Sequence, residues 1–431
     1  MDPANRLEPR ALLKRLFDAA LRSADPALVV PPHLPPPPKG RTLVLGAGKA
    51  AAAMAKAVED HWPGPLSGLV ITRDGHGVPC RHIEVVEAGH PVPDARGAEA
   101  ARRILALCRG LREEDLVLCL ISGGGSALMA VPAPGITLED KREVTRELLR
   151  SGAAIGEINC VRKHLSEIKG GRLTQAAFPA RLLTLAISDV PGDDPAVIAS
   201  GPTVADPTSF AKARAILAKY AIDPPEGVER HLREAVQESP KPGDPRLARS
   251  TFVLIATPQG ALDAAAEAAR AEGVTPVVLS DAIEGEARVV ALMHGALARQ
   301  VAMGRFVVGD QALKPPLVLL SGGETTVEVK GPGKGGRNSE FLLSLAIALD
   351  GTPGIHALAA DTDGIDGTET NAGAFYGPES GARLRSLGGD LKGCLIENDS
   401  YGAFKALGDL LVTGPTRTNV NDFRAILIEK R

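Results

Sequence analysis

The segment Leu43-Val-Leu-Gly-Ala-Gly-Lys-Ala-Ala51 has the pattern of an apolar strand that ends in two glycines and a lysine and continues into an alanine-rich helix. An uninterrupted apolar run of this kind is typical of a strand buried on both faces of a parallel sheet. Similar runs follow at Gly68–Thr72, Ile83–Glu87 and Leu116–Ser122, with helix-like stretches between them. This alternation predicts a doubly wound α/β domain with a mostly parallel, Rossmann-like sheet.

The chain has 431 residues, more than one hydrophobic core usually serves, so we expect two domains. Residues 224–249 are polar and contain five prolines, which favours a boundary near residue 240. Residues 1–240 are predicted to form the Rossmann-like domain, and residues 241–431 a smaller, mixed α/β domain. The other expected elements are helices at Thr137–Ser151, Ile158–Lys169, Gly260–Ala271, Glu284–Arg299 and Asn338–Leu349, and strands at Arg181–Ser188, Thr251–Ala256, Thr275–Ser280, Leu317–Ser321, Thr325–Val329 and His356–Ala360.

Composition excludes several classes of partner. Lys and Arg number 49 against 52 Asp and Glu, so no net field draws the protein to nucleic acid or to an anionic membrane. No stretch reaches the roughly 18 apolar residues that span a bilayer, and residues 1–22 resemble an amphipathic helix rather than a signal peptide. The five cysteines show no CxxC spacing, which argues against a zinc site or a disulfide framework. We therefore expect a cytoplasmic protein with small-molecule partners, for which a homodimer is one option.

Two glycine-rich turns follow predicted strands in the first half. At Gly46 and Gly48 the missing side chains let backbone N–H groups approach an anion, and Lys49 can bind a phosphate or carboxylate oxygen. The spacing also matches a short dinucleotide-binding pattern, although the acidic residue expected after the second strand is at best Asp74. The second turn, Ser122-Gly-Gly-Gly-Ser126, predicts a phosphate cradle. Tight turns with structural glycines are the alternative at both places.

A basic stretch follows the second turn. Arg162, Ser166 and Lys169 fall on one face if residues 158–169 form a helix. That arrangement predicts an anion-binding face, although a run of solvated surface charge explains the same residues equally well.

The second half of the chain also contains glycine-rich segments next to charged residues. Gly322, Gly323 and Glu324 end a predicted strand, and the loop Gly331-Pro-Gly-Lys-Gly-Gly336 precedes a predicted helix. Lys334 and Arg337 would then stand at the start of that helix, where a guanidinium can clamp a transferring phosphoryl group. A surface hairpin with incidental charge is the alternative.

Two acidic segments are candidates for a magnesium site. Asp189, Asp193 and Asp194 follow a predicted strand and could hold Mg²⁺ or accept a proton from a substrate hydroxyl. Asp361 and Asp363 lie in a second acidic turn whose residues do not fit an EF-hand, and they favour a magnesium or nucleotide-proximal loop. We take Asp189, Asp193, Asp361 and Asp363 as the candidate metal ligands.

Taken together, these segments resemble the class II glycerate 2-kinases, the family whose C-terminal part is called the MOFRL domain and whose bacterial members were often labelled hydroxypyruvate reductases. The matching blocks cover nearly the whole chain and occur in the same order. They are Val44-Leu-Gly-Ala-Gly-Lys-Ala, Gly89-His-Pro-Val-Pro-Asp, Ser122-Gly-Gly-Gly-Ser-Ala, Arg162-Lys-His-Leu-Ser, Gly170-Gly-Arg-Leu, Ser188-Asp-Val-Pro-Gly-Asp-Asp, Ser200-Gly-Pro-Thr, Gly333-Lys-Gly-Gly-Arg-Asn and Gly414-Pro-Thr-Arg-Thr-Asn-Val-Asn-Asp.

The resemblance implies an ATP- and Mg²⁺-dependent kinase that acts on the 2-hydroxyl of D-glycerate in a cleft between two α/β domains. It marks Lys49, Arg337 and Asp189 as catalytic. An NAD(P)H-dependent hydroxypyruvate reductase and a non-catalytic nucleotide or sugar-acid sensor are the competing hypotheses. The candidate ATP- or substrate-binding residues are Gly46, Gly48, Ser122, Gly123, Gly124, Gly125, Ser126, Arg162, Lys169, Gly322, Gly323, Glu324, Lys334, Gly335, Gly336 and Asn338.

Overall fold

Two compact units make up the part of the chain that the computed structural model describes, residues 8–430. One unit runs from Pro26 to Ile255, and the other combines the residues before Pro26 with those from Ala256 onward. The predicted N-terminal helix is present as α1 (Pro9–Ser23), while residues 1–7 of that prediction lie outside the described residues. Within residues 8–430, none of the helices combines the length and the apolar character needed to cross a bilayer.

The Pro26–Ile255 unit is built on a six-stranded sheet. Its strands are β1 (Thr42–Ala47), β2 (Ser67–Arg73), β3 (Ile83–Ala88), β4 (Leu116–Ile121), β5 (Arg181–Ile187) and β6 (Ser250–Ala256). They lie in the order β3-β2-β1-β4-β5-β6, and the pairings among β1 to β5 are all parallel. The predicted Rossmann-like parallel sheet is therefore confirmed.

Helices pack on this sheet and beside it. They are α2 (Pro26–Val29), α3 (Ala51–His61), α4 (Ala95–Leu107), α5 (Gly125–Leu128), α6 (Leu138–Arg150), α7 (Ile155–His164), α8 (Arg172–Ala177), α9 (Phe210–Lys219) and α10 (Glu226–Glu234), with 3₁₀ turns at Pro31–His33, Ile198–Ser200 and Pro245–Leu247. One apolar core joins the sheet to α4 and α8, and a second joins α6, α7, α9 and α10. The unit thus carries a helical layer with its own core.

Capping side chains explain where two of these helices begin. The Asp94 carboxylate accepts a hydrogen bond from the Gly97 backbone N–H at 2.9 Å at the start of α4. At α6 the Thr137 hydroxyl accepts from the Asp140 backbone N–H at 3.1 Å, and the Asp140 carboxylate accepts from the Thr137 N–H at 2.8 Å. Such reciprocal bonds satisfy N–H groups that a helix leaves unpaired at its first turn.

The second unit is built on a mixed sheet. Its strands are β7 (Thr275–Ser280), β8 (Gly285–Glu286), β9 (Val307–Val308), β10 (Gln311–Ala312), β11 (Leu317–Ser321), β12 (Thr325–Thr326), β13 (Ile355–Asp361), β14 (Gly373–Tyr376), β15 (Leu410–Leu411) and β16 (Asp422–Ile428). Six of them lie in the order β15-β14-β13-β16-β11-β7, in which only β11 and β7 pair in parallel. The helices are α11 (Pro258–Ala271), α12 (Ala287–Ala302), α13 (Arg337–Leu349), α14 (Ser380–Ser386), α15 (Leu391–Ile396) and α16 (Ser400–Leu407).

The N-terminal helix belongs to this second unit. It packs on α11, β13 and β16, and the Phe17 ring lies 5.6 Å from that of Phe423. Arg15 pairs with Glu272 at 2.8 Å. The chain therefore divides after Asp25 and after Ile255, where the sequence predicted a single boundary near residue 240. The polar, proline-rich residues 224–249 indicate a loop. They do not show which hydrophobic core the distant helix α1 will pack against.

Two further expectations differ from the structure. Residues 251–256, predicted as the first strand of the second domain, form most of β6 at the edge of the first sheet, where the Leu182 N–H donates to the Arg249 carbonyl at 3.0 Å. The predicted helix Ile158–Lys169 ends at His164, so Arg162, Ser166 and Lys169 do not share a helix face. The helix ends six residues before Gly170.

Gly46 has a packing reason to be glycine. A Cβ atom at this position would lie 1.9 Å from the carbonyl oxygen of Leu120 on the neighbouring strand β4. Gly48 is similar, because its Cβ would lie 2.1 Å from the Ser122 hydroxyl. Strands β1 and β4 therefore approach more closely here than any side chain allows.

We predict that Gly46→Ala lowers the free energy of unfolding by about 3 kcal/mol or more, because β1 is paired on both sides and cannot retreat from the Leu120 carbonyl. Gly156→Ala in α7 is the matched control, since a Cβ there meets nothing within 4 Å, and it should be neutral or slightly stabilising. Urea denaturation of both variants measures the difference. Equal stability of the two would contradict the packing explanation.

Candidate active site

Three sequence-predicted residues meet at one edge of the parallel sheet. Lys49 follows β1, Ser122 follows β4 and Asp189 follows β5, and these three strands are neighbours. The carboxyl ends of parallel strands form one edge, which is where open α/β sheets bind ligands. The fold thus brings Lys49, the Ser122–Ser126 turn and Asp189 to the same side of the unit.

The first glycine turn does not present its backbone to a ligand. The N–H groups of Gly48 and Lys49 donate to the carbonyls of Ile71 and Gly123 at 3.1 and 2.8 Å. The Ala50 N–H at the start of α3 donates to the Ser122 hydroxyl at 2.9 Å. The expectation that Gly46 and Gly48 form an anion cradle is therefore corrected: these N–H groups already have protein acceptors, and the glycines serve close packing. The role of the Lys49 side chain stays a prediction.

The second turn has a different geometry. Gly124 adopts φ = 80°, a left-handed conformation that favours glycine, and a Cβ on it would lie 2.9 Å from His90 Nε2 and 3.5 Å from Lys49 Cγ. The backbone N–H groups of Gly124 and Ser126 meet no protein acceptor among residues 8–430. Gly124 and Ser126 are only partly buried, so this turn retains backbone donors that an anion could use.

A buried polar chain supports this turn. The Lys169 ammonium donates to the Ser126 carbonyl at 2.6 Å and to its hydroxyl at 2.9 Å. The Ser126 and Ser200 hydroxyls lie 2.8 Å apart, and Ser200 also reaches Asn159 Oδ1 at 3.4 Å. Burial, together with the charges of Lys141 and Arg162, lowers the pKa of Lys169 well below its ordinary value.

The chain is strained beside Ser200. Ala199 and Ser200 have φ values of 50° and 61°, in the left-handed region where residues with a Cβ are disfavoured. Each such residue costs on the order of 1–3 kcal/mol and tends to occur at functional sites. In this conformation the Ser200 hydroxyl contacts the Ser126 hydroxyl and helps to hold the glycine turn in place.

A pocket of about 460 Å³ opens next to the turn. One face of α6 lines it, with residues spaced three or four apart, and α5, α7 and the loop 90–93 complete the wall. Five basic side chains and no carboxylate line this pocket: Lys141, Arg142, Arg146, Arg162 and Lys169. Arg162 and Lys169, which were expected to share a helix face, are thus brought together by the tertiary fold.

Two of these cations are strongly affected by burial. Burial and the charge of Arg162 lower the pKa of Lys141 to about 7. Burial also lowers the pKa of Arg162. A bound anion would therefore stabilise the charged forms of both side chains.

The acidic turn after β5 contains one structural carboxylate. Asp194 accepts a hydrogen bond from the Ala196 N–H at 2.8 Å, and the Asp193 N–H donates to the Val190 carbonyl at 3.0 Å. Asp193 itself has φ = 54°. Within residues 8–430, no group of three or more His, Cys, Asp or Glu side chains is arranged to hold a metal ion. The turn therefore offers single carboxylates rather than a formed metal cage.

In the second unit, Arg337 is held by three carboxylates. Its Nε donates to Asp422 at 2.7 Å, and its two Nη groups donate to Asp361 and Glu324 at 3.0 Å each. Burial by itself would lower the pKa of Arg337, but Asp422, Asp361 and Glu324 raise it overall. The guanidinium is thus permanently charged and fixed in orientation.

Asp422 also binds a second buried guanidinium. Arg424 Nη2 donates to Asp422 at 2.7 Å and to the Thr325 hydroxyl at 2.9 Å, and both charged side chains are inaccessible to solvent. Asn338 Nδ2 donates to Asp422 at 2.8 Å. We call Arg337, Asp361, Asp422, Arg424 and Asn338 the Arg337 cluster. Because β13 and β16 pair with Asp361 opposite Asp422, the sheet register itself assembles it.

The glycine loop before α13 is a packing element. Asp366 caps α13, accepting from the backbone N–H groups of Asn338 and Ser339 at 2.9 and 2.8 Å. Burial raises the pKa of Asp366, against the lowering effect of these hydrogen bonds. A Cβ on Gly335 or Gly336 would lie 2.0 Å from the Ser400 hydroxyl or 2.3 Å from the Asp366 carboxylate. The expected anion cradle at this helix start is therefore corrected, because a carboxylate of the protein occupies it.

The remaining candidates of this unit lie around the cluster. The Gly322 N–H donates to the Ser280 carbonyl at 2.8 Å, and a Cβ on Gly323 would lie 2.2 Å from the Ile283 carbonyl oxygen. Lys334 is exposed and pairs with Glu369 at 3.3 Å. Asp363 follows Asp361, whose Oδ1 accepts from the Asp363 N–H at 3.0 Å.

Sequence reasoning missed three residues, two in the Arg337 cluster and one that lines the pocket beside α6. Asp422 and Arg424 were not assigned roles, although Asp422 ends the block Gly414-Pro-Thr-Arg-Thr-Asn-Val-Asn-Asp. Lys141 lies in a helix rich in charged residues and shows no local signal. An arginine at the second position of the otherwise apolar run Phe423–Ile428 was the available clue, because a buried charge requires a partner.

We predict that Asp422→Asn lowers the free energy of unfolding by about 3 kcal/mol, because Arg337 and Arg424 lose the carboxylate that they share. Glu328→Gln is the control, since Glu328 and its partner Lys330 are both exposed and their pair should contribute less than about 1 kcal/mol. The measurement is urea denaturation at neutral pH. A similar small effect in both variants would show that the cluster does not depend on Asp422.

Comparison with known proteins agrees with this architecture. Residues 12–233 match the family described as "Domain of unknown function (DUF4147)", and residues 317–422 match the MOFRL family. The chain is 54% identical to an Agrobacterium vitis protein named "Putative hydroxypyruvate reductase", over 98% of this chain and 95% of that protein. It is 40% identical to a D-glycerate 2-kinase of Thermotoga maritima, over 96% of this chain and 98% of that protein.

A solved structure is similar over nearly the full length. The crystal structure of a glycerate kinase from Thermotoga maritima matches with a TM-score of 0.86 at 39% identity, covering 97% of this chain and 99% of that one. These matches span both units and both family descriptions. The chain therefore belongs to the MOFRL family, as its resemblance to the class II glycerate 2-kinases predicted.

Proposed function

We propose that the protein is a D-glycerate 2-kinase that transfers the γ-phosphate of ATP to the 2-hydroxyl of D-glycerate, giving 2-phosphoglycerate and ADP. The observation that carries the proposal is full-length similarity to relatives named D-glycerate 2-kinase, combined with a pocket lined by cations at the carboxyl edge of the first sheet. Phosphoryl transfer depends mainly on positioning and on stabilisation of negative charge, which these groups can supply.

Residues of the first sheet would position the two reactants. Lys49 and the unpaired N–H groups of Gly124 and Ser126 would bind the oxygens of the moving phosphoryl group. Asp189 would accept the proton of the glycerate 2-hydroxyl as that oxygen attacks the γ-phosphorus. The bond between the γ-phosphorus and the oxygen that bridges it to the β-phosphate then breaks, and ADP leaves with that electron pair.

Arg337 would stabilise charge on the transferring group. Asp422 and Asp361 hold it from two sides, whereas Glu324 is 56% exposed and can swing into solvent. We propose that a phosphoryl oxygen takes the place of Glu324 on Nη1, so that one interaction is exchanged while the other two keep the guanidinium oriented. Because only one of the three ion pairs of Arg337 changes, little free energy is needed to reorient its guanidinium in the transition state.

We propose that magnesium enters with the phosphates of ATP. The second-unit candidates fit a protein-built site poorly, because Asp361 binds Arg337 and the Asp363 N–H, and Asp363 Oδ1 accepts from the Ile365 N–H at 2.8 Å. Asp189 and Asp193 remain the candidate carboxylates. Mg²⁺ commonly keeps several waters and is bound through substrate phosphates and one or two carboxylates, where it would neutralise phosphate charge.

The reductase hypothesis meets two obstacles. A dinucleotide would need free N–H groups at the first glycine turn, and those of Gly48, Lys49 and Ala50 are bonded to protein acceptors. It would also need an acid for the ribose, and Asp74 is held by both Nη groups of Arg96 at 2.8 Å each. Kinase chemistry requires neither.

Two assays on the wild-type protein separate the hypotheses. We expect ADP release that depends on both ATP and D-glycerate, and no oxidation of NADH with hydroxypyruvate. NADH oxidation without ADP release would support a reductase. Tight binding of glycerate or ATP without turnover in either assay would support a sensor.

Variants test the assignment of roles. Lys49→Ala and Arg337→Ala should each lower kcat by about 10²-fold or more, because each removes a charge that the transition state requires. Lys330→Ala is the control, since that lysine is exposed and pairs with Glu328. Urea denaturation checks that each variant is folded. Near-normal turnover in both folded variants would show that these cations are not catalytic.

The compartment and the assembly remain expectations. A cytoplasmic location suits an ATP-dependent enzyme whose five cysteines are all free thiols. A homodimer stays a prediction.

A further inference from the structure

We propose that the cation-lined pocket beside α6 is the nucleotide site, with the phosphates of ATP on Lys141 and Arg162 and the adenine against the apolar wall at its mouth. The inference rests on the proposed kinase function and adds which reactant this pocket receives. It also adds Lys141, which no sequence pattern pointed to.

The strongest argument is uncompensated positive charge. Arg162 makes no hydrogen bond or ion pair with any other residue in the range 8–430, and burial alone accounts for its lowered pKa. Within the same range the Lys141 ammonium reaches one acceptor, the Val131 carbonyl, at 3.4 Å. Lys141 is buried and Arg162 is partly buried, and charges withdrawn from water are normally paired, so two neighbouring cations without a carboxylate indicate a ligand with several negative charges. A triphosphate has them, whereas glycerate has one.

The pocket also has the size and the wall for a nucleotide. Its volume of about 460 Å³ falls within the 300–1,000 Å³ common for drug-sized ligands and exceeds what a three-carbon acid fills. Val92 and Leu149 line it and are 62% and 59% exposed. Leu138 and Ala127 add to this wall. Exposed aliphatic side chains next to cations suit a ligand with a flat apolar part and a polyanionic part.

The residues at the bottom of the pocket determine the orientation of the bound nucleotide. Gly124 lines the floor, and a Cβ on it would lie 3.5 Å from Lys49 Cγ. The Lys169 side chain donates to Ser126 and so holds this turn in place. The γ-phosphate therefore points toward Gly124 and Lys49, and the adenine toward Val92 and Leu149.

Binding measurements on the full chain test this assignment. Lys141→Met and Arg162→Met should each raise the Kd of ATP by about tenfold or more and change the Kd of D-glycerate by less than about threefold, measured separately by calorimetry in magnesium buffer. Lys212→Met is the control, because it removes an exposed cation of α9 that does not line the pocket. A raised Kd for glycerate with an unchanged Kd for ATP would overturn the proposal and make this the acceptor site.

A third variant covers the case in which the first two fail to fold. Val92→Glu replaces an exposed side chain, so folding is unaffected, and its carboxylate should repel the nucleotide and raise the Kd of ATP by about tenfold. Unchanged ATP binding in this variant overturns the proposal even when wild-type turnover confirms the kinase. Conversely, the wild-type protein could bind ATP in a way that depends on Lys141 and Val92 and yet show no turnover. That outcome would support the pocket as a nucleotide site and contradict the kinase function.

Discussion

The close approach of strands β1 and β4 is the constraint on which the first unit depends. Gly46 lies against the Leu120 carbonyl. The segments that follow the two strands also stay in contact. The Lys49 N–H donates to the Gly123 carbonyl, and the Ala50 N–H donates to the Ser122 hydroxyl. The two glycine turns are therefore not independent loops. The backbone of the first turn is bonded to the second turn, in which the N–H groups of Gly124 and Ser126 meet no protein acceptor among residues 8–430.

The Arg337 cluster and the cation-lined pocket differ in how their positive charges are paired. Arg337 binds three carboxylates, and Arg424 shares one of them, Asp422. In the first unit Lys141 and Arg162 lack such partners, and burial lowers the pKa of each. A cation paired with carboxylates is held in a fixed orientation, whereas a cation without such a partner has more to gain from an anionic ligand. This difference is why the nucleotide is assigned to the cation-lined pocket.

Much of the fold could be predicted from local pattern. The buried strands β1, β4 and β5 are continuous apolar runs, and α3 and α13 follow glycine turns as expected. The pattern was misleading where a glycine loop stood before a helix. At both such loops, the helix start is bonded to a protein group, Ser122 in one unit and Asp366 in the other. Glycines that allow close packing and glycines that admit a ligand look the same in one sequence.

The sequence by itself determined an α/β protein of two parts with cationic glycine loops, and the order of its blocks pointed to the glycerate 2-kinases. Hydrophobic periodicity and turn chemistry act over a few residues, so they can be read locally. Only the tertiary structure decided that α1 packs on β16, that Asp422 joins Arg337 to Arg424, and that Lys141 meets Arg162. These are contacts between residues far apart in the chain. Their partners are set by sheet order and helix packing, which a single sequence does not specify.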